Sequence, residues 1–172
     1  MALTKCYAMY GLIGGPFPYG FYYSAGLDAL GKKLKKIGPG VQVLPTFGFS
    51  EWRKIAEDIK LQAKDTRIVI YGHSMGANLC LAAAAAVKER RIDLIAAFDP
   101  TFWYPRKQVG GNVQHLIWFR GTSLFSIAGH GNIKANSKFA GRFERHDVRQ
   151  RHEKIDDNSD LHAIVISAVE KL

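Results

Sequence analysis

Residues Arg67-Ile68-Val69-Ile70-Tyr71 form a nearly unbroken apolar run rich in β-branched side chains. Such side chains are stiff and pack well on a pleated surface. A strand that is apolar on both faces has to be covered on both. In soluble proteins that is the habit of parallel sheets flanked by helices. The chain repeats the pattern. Cys6 to Tyr10, Val41 to Leu44, Asp93 to Phe98 and Gln114 to Phe119 predict further strands, and Arg142 to Val148 a short last one. Apolar residues at helical spacing lie between them. Ala25, Leu27, Leu30, Leu34 and Ile37 predict a helix over about Tyr22 to Ile37, ended by Gly38-Pro39-Gly40. Trp52, Ile55, Ile59 and Ala63 predict one over about Glu51 to Ala63, with Ser50 as its N-cap. A third is expected from Met75 to Glu89, and a last one opens at Ser159-Asp160. Strand and helix in alternation define an α/β class. The expected architecture has three layers, with a mostly parallel central sheet of about six strands and right-handed crossovers. The stretch from Gly121 to Gly141, rich in Gly, Ser and Asn, reads as loop.

With 172 residues, 47% hydrophobic and 23% charged, the chain has the makeup of one domain with a proper core. No linker or composition break divides it, so residues 1–172 are read as one unit. Cys6 and Cys80 stand in apolar segments and read as small buried hydrophobes. No apolar stretch is long enough to cross a membrane, and the start lacks the pattern of a secretory leader, so a cytoplasmic protein is expected. The formal net charge is +9. Its clusters, Lys32, Lys33, Lys35 and Lys36 and then Arg142, Arg145, Arg149 and Arg151, read as a solvated helix face and a basic loop. Aromatic residues do not interleave with them as a stacking platform would, so no nucleic-acid partner is expected. There is no paired His/Cys ligand spacing and no phosphate-cradling glycine loop, so neither metal nor cofactor is expected.

Gly72-His73-Ser74-Met75-Gly76 fits the pattern G-x-S-x-G and stands between the Arg67–Tyr71 run and an alanine-rich helix. A serine at the tip of so sharp a strand-to-helix turn needs small neighbours two residues away on either side. The helix that follows points backbone N–H groups toward any negative charge developing beside the serine. The run Tyr71-Gly72-His73-Ser74-Met75-Gly76-Ala77 resembles the nucleophile elbow of the α/β-hydrolase superfamily, above all its lipase- and thioesterase-like members. Strand and helix order match over nearly the whole chain. The resemblance implies a small α/β-hydrolase domain, and because no large insertion is visible after the fourth strand, where a lipase lid would sit, little or no lid is expected.

Serine needs a base in hydrogen-bond reach, and the base needs an orienting carboxylate. In the superfamily the order is Ser, then Asp or Glu, then His. Asp99 follows the strand ending at Phe98, in a run similar to lipase-like members. The next strand ends Phe119-Arg120-Gly121-Thr122, with no carboxylate, and Asp147 is the weaker alternative. His152, in the polar segment before the last helix, stands where the superfamily places its base. His115, His130, His146 and His162 are the other histidines after Asp99. The expected oxyanion donors are the backbone N–H groups of Met75 and of Leu12, with Ile13 as fallback to Leu12. Tyr10 stands where relatives often have His.

The resemblance implies hydrolysis of a small-molecule carboxylic ester through a seryl acyl-enzyme. An acyl-thioesterase using the same triad is the alternative. A hydrolase-like fold that only binds an acidic partner is the alternative of another class. Ile13, His73, Phe102 and Trp103 are the candidate lining of a substrate pocket, although aromatic core packing explains Phe102 and Trp103 equally well.

Overall fold

The computed structural model describes residues 4–10, 24–45, 47, 51–105, 108–123 and 129–172, with the backbone path alone for 5–10. Six strands form one sheet: β1 (Thr4–Tyr10), β2 (Val41–Val43), β3 (Arg67–His73), β4 (Leu94–Phe98), β6 (His115–Gly121) and β8 (Arg142–Val148). Their spatial order is β2-β1-β3-β4-β6-β8, and every neighbouring pair is parallel. From β1 the chain moves outward to β2, then returns across β1 to β3. That reversal makes a switch point at the carboxyl ends of β1 and β3, where open α/β sheets form their crevices.

The reversal also sorts the helices. Right-handed crossovers in opposite directions put their helices on opposite faces. Helix α1 (Ala25–Leu34) packs on one face and α2 (Trp52–Leu61) and α3 (Met75–Ala86) on the other, while α4 (Ser159–Glu170) rejoins α1. The strands alternate accordingly. Ile68, Ile70, Ile95, Ala97, Leu116 and Trp118 face α2 and α3. Val69, Tyr71, Leu94, Ala96, Phe98, Ile117 and Phe119 face α1 and α4. All five residues of β4 are buried, as a strand covered on both sides requires. The alanines of α3 bring it close to the sheet, and Cys80 is a free, fully buried thiol on that helix. Gly31 lets α1 approach the sheet, since a Cβ there would lie 2.8 Å from the Tyr71 hydroxyl.

Several boundaries differ from the sequence expectation. Helix α1 starts later, capped by the Ser24 hydroxyl, which accepts from the Leu27 N–H at 3.2 Å. Helix α2 ends at Leu61 because Gln62 turns extended. Glu51 at its N-cap position makes no side-chain capping bond, and Ser50 lies outside the described residues. Helix α3 stops at Ala86, not Glu89. The Asn112 side chain donates to the carbonyls of Ala84, Val87 and Arg90, capturing chain ends that a longer helix would use itself. The loop from Gly121 to Gly141 contains β7 (Lys134–Ala135), which pairs in parallel with β5 (Gln108–Val109). Two-residue strands carry no readable period. Among the described residues no helix is long and apolar enough to cross a membrane.

Candidate active site

Strand β3 delivers the chain to Ser74, and α3 begins at the next residue. Ser74 has φ 58° and ψ −128°. A side chain in this region costs on the order of 1–3 kcal/mol, and persists only where the surroundings fix it. Here the Ser74 N–H donates to the Phe98 carbonyl at 2.9 Å, and its own carbonyl accepts from the Ala77 N–H at 3.1 Å. The serine is only 1% exposed. The amide of Met75 belongs to the first turn of α3, where N–H groups have no partner within the helix. Leu12 and Ile13, the other expected contributors to an oxyanion hole, lie outside the described residues.

Asp99 leaves the end of β4 with φ 39°. Its N–H donates to the Phe119 carbonyl at 2.7 Å. Oδ1 accepts from the N–H groups of Gly121 and His130, both at 3.0 Å, and Oδ2 faces His152 Nδ1 at 2.8 Å. Burial by itself pushes this carboxyl up. The bonds from His152, His130 and Gly121 outweigh that and hold it below its ordinary value, so it is ionised at neutral pH. Glycines make the cradle. A Cβ at Gly121 would lie 2.6 Å from Asp99 Oδ2, and one at Gly129 would run into both Asp99 and His152 Nδ1. Asn78, one turn along α3 from Ser74, accepts from the backbone N–H and hydroxyl of Thr101 at 3.0 and 3.1 Å. It thereby ties the segment after Asp99 to the helix after Ser74.

His152 opens a 3-10 turn, His152–Asp157, and is 2% exposed. Its Nε2 stands 2.9 Å from Ser74 Oγ. A carboxylate can only accept, so Nδ1 carries the proton and Nε2 presents a lone pair to the serine hydroxyl. Of the five histidines after Asp99, the structure brings this one to Ser74. His115 pairs with Glu144 at 2.7 Å, and His146 lies 3.4 Å from the same carboxylate on the edge strand. The His130 ring donates to the Gly121 carbonyl at 2.7 Å, and His162 donates to the Asp156 carbonyl. Asp147 is engaged by Arg145 on the surface. Phe102 and Trp103 are 52% and 47% exposed and meet edge to face at 4.6 Å, which excludes them from the core. His73 is turned to the backbone of His152, to which Nε2 donates at 2.8 Å.

Sequence reasoning passes over the backbone donors of Gly121 and His130, the space left by Gly129 and the Asn78 clamp. A glycine–histidine–glycine run at 129–131 and an asparagine four residues after the serine are the only marks they leave.

No protein-family model and no curated protein matches the sequence. Solved structures do. A candidate hydrolase of the alpha/beta superfamily from Xanthomonas campestris pv. campestris superposes with a TM-score of 0.63 at 14% identity, covering 98% of this chain and 99% of the other. The RedJ thioesterase of prodiginine biosynthesis in Streptomyces coelicolor gives 0.62 at 11% identity, over 97% and 86%. The esterase domain of a Rhodothermus marinus protein gives 0.57 at 14%, over 97% and 85%. The chain therefore has the α/β-hydrolase fold. Identities this low carry the fold and not the substrate.

Proposed function

We propose that this protein is a serine hydrolase that cleaves carboxylic esters through a seryl acyl-enzyme. The supporting observation is the unbroken buried line Ser74 Oγ, His152 Nε2 at 2.9 Å, His152 Nδ1 and Asp99 Oδ2 at 2.8 Å. A binding module has no use for a serine held at positive φ under a histidine of fixed tautomer. In this reading Ser74 Oγ attacks the acyl carbon while His152 Nε2 takes the hydroxyl proton. The Met75 amide, with a second donor proposed at Leu12 or Ile13, stabilises the oxyanion. Collapse expels the alcohol, which receives the proton from His152. Water, deprotonated by His152 in turn, then attacks the acyl-enzyme, and the carboxylic acid leaves with Ser74 restored. Asp99 keeps the tautomer and stabilises the imidazolium. The Phe102–Trp103 pair is proposed as an apolar wall for a small acyl or aryl group.

Thioester cleavage by the same groups is the second reading, favoured by the thioesterases among the similar folds. Fluorophosphonate labelling of Ser74, with p-nitrophenyl esters assayed beside acyl-thioesters, tests both. Labelling abolished in Ser74→Ala and turnover of either substrate class support the proposal. An unlabelled, inactive wild type would leave a binding role.

A further inference from the structure

His152 is held from behind as well as by Asp99. The His73 Nε2–H donates to the His152 carbonyl at 2.8 Å, and the two rings pack with centroids 4.7 Å apart. His73 Nδ1 looks toward Asp156 Oδ1 at 3.7 Å, the two side chains being 11% and 5% exposed. Asp156 belongs to the same 3-10 turn as His152. Its Oδ2 accepts from the Ser24 hydroxyl, the group that caps α1, and its carbonyl accepts from the His162 ring. Gly26 lets the first turn of α1 press against it, since any side chain at that position would strike the Asp156 carbonyl.

We infer that His73 is a positioning residue: by donating to the His152 carbonyl it aims the His152 ring at Ser74, while Asp156 locks the far end of the same turn to α1. The inference rests on the serine-hydrolase reading. Its physical ground is that catalytic geometry tolerates little play. A misplacement of about 1 Å can cost ~10²-fold. His73 immediately precedes Ser74, so one residue pair ties the height of the nucleophile to that of the base. Burial lowers the His73 pKa against the opposing pull of Asp156. The ring beside His152 is therefore neutral when His152 takes up its proton, and does not repel the imidazolium.

The test compares His73→Gln, whose amide nitrogen can still reach the His152 carbonyl, with His73→Leu and with His73→Asn, which is polar but too short. Three quantities are read in each folded variant: the rate of fluorophosphonate labelling of Ser74, kcat and KM on a p-nitrophenyl ester, and the low-field proton resonance of the His152 Nδ1–H bond to Asp99. His73→Leu and His73→Asn are expected to lose roughly 10²-fold in labelling and kcat with KM little changed, and to lose or shift the low-field proton. His73→Gln should recover most of both. Wild-type labelling and an unmoved low-field proton in His73→Asn would overturn the inference, as would a folded His73→Gln no better than His73→Asn. If the wild type is not labelled, the hydrolase reading falls, and the low-field proton alone decides whether His73 positions the ring.

Discussion

The two halves of the candidate site are built in different ways. The turn around Ser74 is made mainly by neighbours in sequence: β3 brings the serine in, α3 takes the chain away, the strain sits in one residue at φ 58°, and a distant group, the Phe98 carbonyl, holds its N–H. The turn around His152 is made by strangers. His73, Asp99 and Gly129 approach it directly, and Ser24, Gly26 and His162 reach it through Asp156. A nucleophile that must be strained is best fixed by stiff local geometry. A base that must swing a proton between two partners is aimed by a mesh of weaker bonds, each of which can be cut alone.

That contrast predicts a graded series. Removing the proposed nucleophile is expected to be all or nothing: Ser74→Ala should lower kcat by roughly 10⁶-fold with the fold intact, and adding His152→Ala should cost little more if the two act as a unit. Burst and steady-state assays on one ester check both. Asp99→Asn should lose about 10⁴-fold, since an amide that donates to Nδ1 imposes the wrong tautomer. Circular dichroism should stay that of the wild type. Gly129→Ala probes the mesh without removing a reacting group. Its methyl must displace Asp99 or His152, so ~10²-fold in kcat should be lost, with a lower thermal midpoint. Activity equal to wild type in Gly129→Ala would erase the distinction drawn between the two halves.

Acid should loosen the base side first. Burial lowers the pKa of His73 and of His162, and His162 Nδ1 accepts from Lys33 Nζ at 3.1 Å, a bond that exists only while that nitrogen is unprotonated. The unfolded chain protonates both rings near pH 6.5. Below that pH the unfolded state binds protons that the folded state refuses. Stability is thus full above about pH 6.5 and falls as pH drops toward the lowered folded values. Urea midpoints at pH 7.5 and pH 5 should show the fall, and His162→Gln should flatten it. The smallest effect is expected at Asn158, which caps α4 just after the turn by accepting from the N–H groups of Asp160 and Leu161. Asn158→Ala should cost about 1 kcal/mol in denaturant melts and leave kcat near wild type.

The legible part of the sequence follows the same division. The Arg67–Tyr71 run, the glycines around Ser74 and the alanines beyond lie within 20 residues and announce strand, turn and helix together. Asp99 and His152 could be singled out only with the superfamily's chain order in hand, because a lone aspartate before proline and a lone histidine in a polar segment carry no local signature. His73 reads from sequence as pocket lining, since nothing in Gly72-His73-Ser74 tells which way the ring turns. Asp156 and Ser24 stand 132 residues apart and meet only when α1 and the 3-10 turn pack. Asn112, which shortens α3, sits 26 residues beyond its end, outside any helical window. The alternating pattern of β8, with Arg142, Glu144 and His146 on one side and Phe143, Arg145 and Asp147 on the other, marks an edge strand that the apolar-run criterion barely detects.

The thiol of Cys80 has a use that its burial confers. It lies inside α3, fully enclosed, and burial pushes its pKa far up, so no thiolate forms and no electrophile reaches it while the helix rests on the sheet. Alkylation at that position, followed by peptide mass mapping, becomes a clock that ticks each time α3 lifts away. A phosphonate aimed at Ser74 counts molecules that are closed, and a maleimide aimed at Cys80 counts the openings. Run side by side, the two reagents would separate a loss of aim from a loss of hold in every variant above.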